Sequence, residues 1–383
     1  MEYIRFKEVT LSTQYGYTAE ETSKTDGVYK YLRITDIVPY FVDFDTVPYC
    51  SIPQKKVDQY LVQEGDVLIA RTGATTGYNY VVPKGIENTI YASYLIRFIV
   101  DKSQILPLYL KYVLKGDYYY GFVNNYIGGS AQPGMNARVF GRFNIPYNTI
   151  PTQRRIASIL SAYDNLIENN NRRIRLLEQM AENLYKEWFV RFRFPGHEKV
   201  EMENGLPKGW KKASLGEICQ FKRGKNITSD EMCEGNIPVI SAGIEASGFH
   251  NRSNVKGVSV TMSSSGANAG FLSIHYSDIW AADCSYIEES STTNIYYVYE
   301  LLNNIRTIIT NFQRGAAQPH VYPKDINRIK LIVPDKNLMR KANEKLLSMH
   351  KAIDTLQQQN QLLTRQRDLL LPRLMSGKLE VNA

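Results

Sequence analysis

The chain has 383 residues, and its 46 Lys or Arg residues against 38 Asp or Glu residues give a formal net charge of +8, which permits a nucleic-acid partner without requiring one. Its 43% hydrophobic and 22% charged residues exclude wholesale disorder, and the lack of both a signal-peptide core and an apolar run near about 18 residues predicts a cytoplasmic protein that does not contact a membrane. The four cysteines and five histidines are scattered without metal-ligand spacing, so we expect neither a metal site nor a disulfide framework.

Residues 1–150 have the pattern of an α/β (α+β) domain with a net charge of only +1. Short β-branched and aromatic runs predict strands at residues 67–70, 80–82 and 95–100, and a longer amphipathic run predicts a helix at residues 106–116. The three tyrosines at 118–120 are expected to pack at the edge of the core, although stacking on nucleobases is the alternative.

Residues 151–196 predict a long helix, with Pro151 in its first turn and Pro195-Gly196 at its end. Its apolar residues recur at the heptad spacing of a coiled-coil seam. One register holds Ile156, Tyr163, Asn170, Leu177 and Leu184, and the other holds Ile159, Leu166 and Met180. Trp188 and Phe189 are expected to anchor the end of this helix on the neighbouring domain.

Residues 197–335 repeat the character of the first domain, and residues 195–336 have a net charge of 0. The runs at 258–262 and 331–333 predict strands, and residues 294–312 predict a helix.

Residues 336–383 predict a second long helix, capped by Asp335, interrupted by Pro372 and ended by Ser376-Gly377. Its two heptad registers are Leu346, Ile353 and Asn360, and Met349, Leu356, Leu363 and Leu370. Each long helix carries one Asn on its seam, which favours pairing of the helices with each other because a polar seam residue fixes register. Separate packing of each helix on its own globular domain is the alternative.

An internal repeat is the strongest signal in the chain. Residues 129–133, GSAQP, return as GAAQP at residues 315–319, and residues 71–77, RTGATTG, return as SSGANAG at residues 264–270. The order is therefore domain, long helix, domain, long helix. Two diverged domains on a repeated scaffold predict two readers of different targets.

The motifs together resemble the specificity subunits of type I restriction–modification systems. The helix beginning PTQRRIASILSAYDNLIENNNRRIRLLEQ resembles their central conserved region, and LLTRQRDLLLPRLMSGKLEV resembles their distal one. The segments GDVLIARTGATTG and GSAQPG resemble recurring elements of their target recognition domains. The likeness covers the whole chain in the family's order, with one departure: Ser264 stands where the first copy has Arg71, so these two positions are expected to play different roles.

This resemblance implies a non-catalytic chain that binds double-stranded DNA. Two target recognition domains, residues 1–150 and 197–335, would each read one half of a split target. The helices of residues 151–196 and 336–383 would pair as an antiparallel coiled coil that fixes the gap and docks two methyltransferase subunits, to which restriction/translocase subunits are added. This chain would hold no cofactor, because S-adenosylmethionine, ATP and Mg are expected in the partner subunits.

The Gly-rich segments are the candidate DNA contacts, since they lack the Gly-Lys-Ser/Thr ending of a nucleotide-binding loop. Glycine lets the backbone approach DNA, Arg suits guanine and Gln suits adenine; tight turns between strands are the alternative interpretation. The first-domain candidates are Arg71, Thr72, Thr75, Thr76, Ser130 and Gln132. The second-domain candidates are Lys222, Arg223, Lys225, Ser263, Ser264, Asn268, Arg314, Gln318 and His320.

Two other classes of protein compete with this interpretation. The sequence Asn144-Ile145-Pro146-Tyr147 fits the box with which adenine-N6 methyltransferases hold a flipped base, which would make the chain a stand-alone DNA methyltransferase. No Gly-rich cofactor turn accompanies it, and the repeat copy reads KLIV, so a terminal strand is the better interpretation. A non-catalytic helical scaffold or regulator is the other alternative.

Overall fold

The computed structural model describes residues 2–24, 27–127, 134–314 and 319–379. The chain divides into two compact units. The first unit is formed by the chain up to Asn169 together with the segment from Gln359 onward, and the second is Asn170–Gln358. Among the described residues, no helix has the length and apolarity to cross a bilayer.

The first unit contains short strands and helices in an α/β arrangement. Its strands are β1 (Glu2–Arg5), β2 (Thr10–Tyr15), β3 (Tyr29–Leu32), β4 (Tyr49–Cys50), β5 (Val67–Ala70), β6 (Asn79–Val81), β7 (Thr89–Tyr91), β8 (Leu95–Val100) and β9 (Asn144–Tyr147). Its short helices are α1 (Ile34–Ile37), α2 (Val57–Tyr60), α3 (Pro107–Val113), α4 (Asp117–Ile127) and α5 (Ala137–Phe140). The strands and the helix predicted between residues 67 and 116 are confirmed to within a few residues.

The first long helix, α6, runs from Ile150 to Tyr185 and continues as a π-helical turn over Lys186–Val190. The second unit then contains β10 (Met202–Glu203), β11 (Leu206–Pro207), β12 (Lys211–Ser214), α7 (Leu215–Ile218), β13 (Lys222–Arg223), β14 (Ile237–Ile240), β15 (Gly248–His250), β16 (Ser259–Ser263), β17 (Leu272–His275), β18 (Trp280–Ala281), β19 (Cys284–Glu288), α8 (Ile295–Asn304), α9 (Arg306–Thr310), α10 (Pro323–Ile326) and β20 (Lys330–Val333). The second long helix, α11, spans Lys336–Met375.

Three sheets of the first unit recur in the second with the same topology over the described residues, and the second unit has the two-stranded sheet β10-β11 in addition. In the first, a sheet of order β2-β8-β5-β6 is accompanied by β4-β3-β7 and by the pair β1-β9; in the second, the corresponding orders are β13-β19-β16-β17, β15-β14-β18 and β12-β20. In each three-stranded sheet the central strand is parallel to one of its two neighbours: β3 to β7 in the first unit and β14 to β18 in the second. The repeat predicted from two short motifs therefore extends to these three sheets.

Each unit packs its long-helix segment against its own sheet core. In the first unit Ile156 and Leu160 of α6 and Leu374 of α11 belong to the cluster that contains Phe98. In the second unit, the predicted anchor residues Trp188 and Phe189 are 6% and 7% exposed, and the Phe189 ring lies 6.0 Å from that of Trp210.

Three predictions about the helices need correction. Pro372 lies inside α11 and does not interrupt it; a proline near the end of a helix removes only one amide donor, and the chain leaves the helix only after Met375, where Gly377 has φ +70°. The predicted helix at 294–312 is divided at Ile305, whose ψ of 15° departs from helical geometry. Leu166 and Met180 are each 54% exposed and do not lie on the buried face of α6.

Candidate nucleic-acid interface

A tight glycine turn follows the central strand of each four-stranded sheet. In the first unit, the Gly77 amide donates to the Ala70 carbonyl at 2.8 Å, and in the second the Gly270 amide donates to the Ser263 carbonyl at 2.9 Å. The four turn glycines have positive φ values that match pairwise, at Gly73 (+74°) and Gly266 (+74°), and at Gly77 (+91°) and Gly270 (+86°). Only glycine adopts this backbone without strain, which explains why the repeat keeps these residues while others diverge.

A second segment returns to the same place in both units. The Met135 amide donates to the Arg71 carbonyl at 2.8 Å, next to a bridge between Thr72 and Gly134. The Val321 amide donates to the Ser264 carbonyl at 3.0 Å, next to a bridge between Ser265 and His320. The residues that border the two predicted loop motifs therefore lie at the two glycine turns. Ser130, Gln132 and Gln318 lie outside the described residues.

The first-unit candidates present one arginine and a set of hydroxyl groups. The Arg71 Nε donates to the Ser93 carbonyl at 3.2 Å, and its guanidinium carbon lies 5.1 Å from the centre of the Tyr15 ring. The Thr76 hydroxyl is buried and donates to the Gly73 carbonyl at 2.7 Å, so it stabilises the turn. Thr72 and Thr75 are half-buried beside it.

Three of the four second-unit candidate cations, Lys222, Arg223 and Arg314, are paired with carboxylates. Lys222 Nζ lies 2.5 Å from Glu288 Oε1, and this hydrogen bond raises the pKa of the lysine. Arg223 pairs with Asp283, and Arg314 lies 3.1 Å from a carboxylate oxygen of the buried Asp325. Lys225 is exposed, and its carbonyl accepts a hydrogen bond from Trp280 Nε1 at 2.9 Å. Local acids thus offset the three paired cations, in agreement with the net charge of 0 over residues 195–336.

Two predicted contact serines point into the protein. Ser263 and Ser264 are 4% and 1% exposed; the Ser263 hydroxyl donates to the Ala242 carbonyl at 2.8 Å, and the Ser264 hydroxyl lies 3.3 Å from that of Ser285. They position the turn. Asn268 and His320 are half-buried next to it.

Three residues of this region were not predicted from the sequence. Tyr15 and Tyr94 are 44% and 56% exposed; the Tyr15 ring faces Arg71, and the Tyr94 carbonyl accepts a hydrogen bond from the Arg71 amide at 3.0 Å. Asp283 accepts a hydrogen bond from the Ser265 hydroxyl at 2.5 Å as well as pairing with Arg223. Strand pairing brings them to the site, and no local motif indicated it.

A buried carboxylate joins both long-helix segments of the first unit to its globular part. Asp164 of α6 is 2% exposed and accepts hydrogen bonds from Arg367 of α11 at 2.8 Å, from Lys111 Nζ at 2.6 Å, from the Tyr112 hydroxyl at 2.8 Å and from the Tyr40 hydroxyl at 3.1 Å. Burial by itself raises the pKa of this carboxyl, but Lys111, Arg367 and Tyr112 together hold the pKa below its ordinary value.

The box-like segment Asn144–Tyr147 is strand β9, which pairs with β1. Ile145 is fully buried and the Pro146 carbonyl accepts a hydrogen bond from the Tyr109 hydroxyl at 2.8 Å, so this backbone is engaged within the protein. The segment serves as the last strand before α6, as its repeat equivalent β20 does before α11.

Comparison with known proteins gives one consistent result. The chain is 27% identical over 365 residues to the type I restriction enzyme MjaIX specificity subunit of Methanocaldococcus jannaschii, covering 87% of this chain and 84% of that one. It is 20% identical to the type I restriction enzyme HindI specificity subunit of Haemophilus influenzae, covering 83% and 87%. A crystal structure of a type I restriction–modification S subunit from M. genitalium has the same fold, with a TM-score of 0.63, 20% identity and coverage of 97% and 95%. The family model of the type I restriction modification DNA specificity domain matches residues 2–179 and 207–365, and the chain therefore belongs to this family.

Proposed function

We propose that this chain is the DNA sequence-recognition subunit of a type I restriction–modification complex and reads a bipartite target, one half with each unit. The chain is non-catalytic, as its family membership indicates, and in this proposal it directs partner adenine-N6 methyltransferase and restriction subunits to the site. The observation that carries this proposal is the pair of matching three-sheet frameworks, which hold the same glycine turns but different side chains around them. Equal frameworks place equal surfaces on DNA, and different side chains select different bases.

In this proposal the long helices pair as an antiparallel coiled coil that sets the distance between the half-sites. Contacts within each unit support the pairing. In the first, Asp164 binds Arg367, while the earlier Ile156 shares a cluster with the later Leu374. In the second, Ile174 forms a cluster with Ile353 and Leu356. Of the predicted seam, Leu177 is half-buried at that cluster, and Tyr163, Asn360, Leu363 and Leu370 are half-buried on their helices.

The outer faces of the long helices are proposed to dock two methyltransferase subunits. Leu176 and Leu362 are 51% and 61% exposed, and they are separated by the same 186 residues as the GSAQP and GAAQP motifs. A duplicated exposed leucine suits two copies of one partner, because apolar surface on a helix is stabilised by burial against another protein. S-adenosylmethionine, ATP and Mg belong to the partners in this proposal.

Methylome sequencing tests the function directly. A host that expresses this chain together with its cognate methyltransferase subunit is expected to carry adenine methylation at one bipartite motif, and hosts that express either protein alone are expected to carry none. Methylation by this chain alone would establish the stand-alone methyltransferase, and the absence of a bipartite motif with both proteins would leave the scaffold interpretation.

A further inference from the structure

Strand register makes three positions of the two units structurally equivalent. Ala70 is paired with Leu95 in the first unit as Ser263 is with Cys284 in the second, so the next residues correspond: Arg71 to Ser264, and Tyr94 to Asp283. Tyr15 lies opposite Ile96, and Arg223 lies opposite Ser285, which makes Tyr15 and Arg223 equivalent. The amide that follows confirms this match, because Gly16 donates to the Leu95 carbonyl and Gly224 to the Cys284 carbonyl.

Among these three equivalent positions each unit has one arginine. The two arginines belong to different strands and have different neighbours. In the first unit Arg71 follows β5 and lies against the Tyr15 ring. In the second unit the arginine is Arg223 of β13, and it is paired with Asp283. The side chains of Arg223 and Asp283 are 46% and 31% exposed, so both still face solvent.

The two arrangements offer different hydrogen-bonding groups to a base edge. The Nε of Arg71 donates to the Ser93 carbonyl, but its two terminal Nη atoms keep their donors, which match the two acceptors of guanine in the major groove. In the second unit Asp283 adds an acceptor. One of its oxygens binds Arg223 and the other accepts from the Ser265 hydroxyl, and a carboxylate has about four acceptor sites, so capacity remains for an amine donor.

We propose that these three framework positions determine base preference in each half-site, with Arg71 reading guanine in the first and Asp283 accepting the exocyclic amine of adenine or cytosine in the second. The inference rests on the proposed function and assigns its discriminating residues. Arg223 positions the Asp283 carboxylate and donates to the neighbouring base or phosphate.

The test measures base preference at every position of both half-sites, with the complex of this chain and its methyltransferase subunits selecting from a randomised DNA library. Asp283→Asn keeps the shape of the side chain but replaces one acceptor by a donor, and it is expected to reduce discrimination at one base of the second half-site by roughly tenfold or more. Arg71→Lys loses bidentate geometry and is expected to do the same at one guanine of the first half-site. Each variant should leave the other half-site unchanged.

Matched controls are Asp278→Asn and Arg142→Lys. Asp278 is an ion-paired acid of the second unit, at 2.6 Å from Lys256, and Arg142 is an exposed arginine of the first. Both variants should retain the wild-type motif.

The inference would be overturned by unchanged base preferences in Asp283→Asn and Arg71→Lys, or by a uniform loss of affinity for all sequences. In either case a bipartite motif in the wild-type complex would still support the proposed function. A wild-type complex without a bipartite motif would instead overturn the proposed function. Arg223→Lys supplies a second variant should Asp283→Asn fail to fold.

Discussion

At the scale of single residues, one glycine in each unit allows another backbone segment to approach closely at the end of the edge strand of the four-stranded sheet. These glycines are Gly16 after β2 and Gly224 after β13. A Cβ atom on Gly16 would lie 2.2 Å from the Ala92 carbonyl oxygen, and one on Gly224 would lie 2.3 Å from that of Ala282. We therefore expect Gly16→Ala to lower the free energy of unfolding of the first unit by about 1–3 kcal/mol, because backbone must move to admit the methyl group. Chemical denaturation of the chain measures this change.

The matched control is Gly121→Ala. This glycine lies in α4 with nothing within 4 Å of the added Cβ, so alanine is expected to be neutral or to stabilise the helix by up to about 1 kcal/mol. Equal effects of the two substitutions would show that the close approach at Gly16 has no energetic weight.

The Asp164 carboxylate gives a second prediction at the residue scale. Asp164→Ala leaves Arg367 and Lys111 without their buried partner, and we expect a loss of about 3–5 kcal/mol in the free energy of unfolding. Asp368→Ala is the control, since its side chain is 56% exposed and its pairing with Arg367 contributes at most about 1 kcal/mol.

Acid titration separates the charge of Asp164 from its packing. Because folding lowers the pKa of Asp164 below its ordinary 3.8, its stabilising effect is full above that pH and is lost as the pH falls through the folded-state pKa. The difference in unfolding free energy between wild type and Asp164→Asn should therefore shrink in this acidic range. A constant difference down to pH values below about 3 would contradict the charge argument.

The candidate site was predicted only where its residues are contiguous in sequence. The glycine turns at 71–77 and 264–270 follow from composition and repetition, because glycine is required where φ is positive. Tyr15, Tyr94 and Asp283 reach the turns through strand pairing with partners far away in the chain, and a single sequence contains no signal for that register.

At the scale of elements, the existence and length of α6 were predicted, but its predicted seam is only partly buried: Ile156 and Asn170 are buried, whereas Leu166 and Met180 are each 54% exposed. One set of buried residues of α6 and of the π-helical turn after it recurs every seven positions: Gln153, Leu160, Ile167, Ile174, Ala181 and Trp188. Gln153 is fully buried because it accepts a hydrogen bond from the Leu106 amide and donates to the carbonyls of Gln104 and Asn148. Hydrophobicity alone did not indicate that Gln153 is buried, since burial of polar side chains depends on partners from other elements.

The exposed leucines give a prediction about partner binding. We expect Leu176→Gln and Leu362→Gln each to remove one methyltransferase subunit from the assembled complex, and the double variant to remove both, because each side chain is more than half exposed and carries little folding energy. Mass measurement of the purified complex gives the stoichiometry, and the thermal midpoint of the free chain should stay unchanged.

Leu108→Gln is the control for this experiment. Leu108 is a leucine of α3 that is 42% exposed, so it tests for a general effect of removing surface apolar area. A complete complex in the Leu176→Gln, Leu362→Gln double variant would place the docking surface elsewhere.

At the scale of the whole molecule, the charge distribution fits recognition by local chemistry. Residues 1–150 have a net charge of +1 and residues 195–336 a net charge of 0, so neither relies on general attraction to phosphate. Most of the +8 lies in residues 151–194 and 337–383, which make up the long helices. Discrimination between bases is therefore expected to depend on a few groups at the glycine turns. The spacing between the half-sites is expected to depend on the long helices.

Lengthening the helices tests this division of labour. Seven residues inserted into α6 between Asn171 and Leu176, on the Asn171 side of Ile174, add about 10.5 Å of helix, close to two full turns and to the rise of about three base pairs. When a second heptad is inserted into α11 between Leu356 and Arg367, the contacts Asp164–Arg367 and Ile174–Leu356 keep their partners. The paired insertion is expected to lengthen the unspecified spacer by about three base pairs and to leave both half-site sequences unchanged, as read by methylome sequencing.

The insertion in α6 alone is expected to lengthen the spacer or to abolish methylation, because the two helices then differ in length. A changed half-site sequence at the original spacing would show that the helices take part in base recognition.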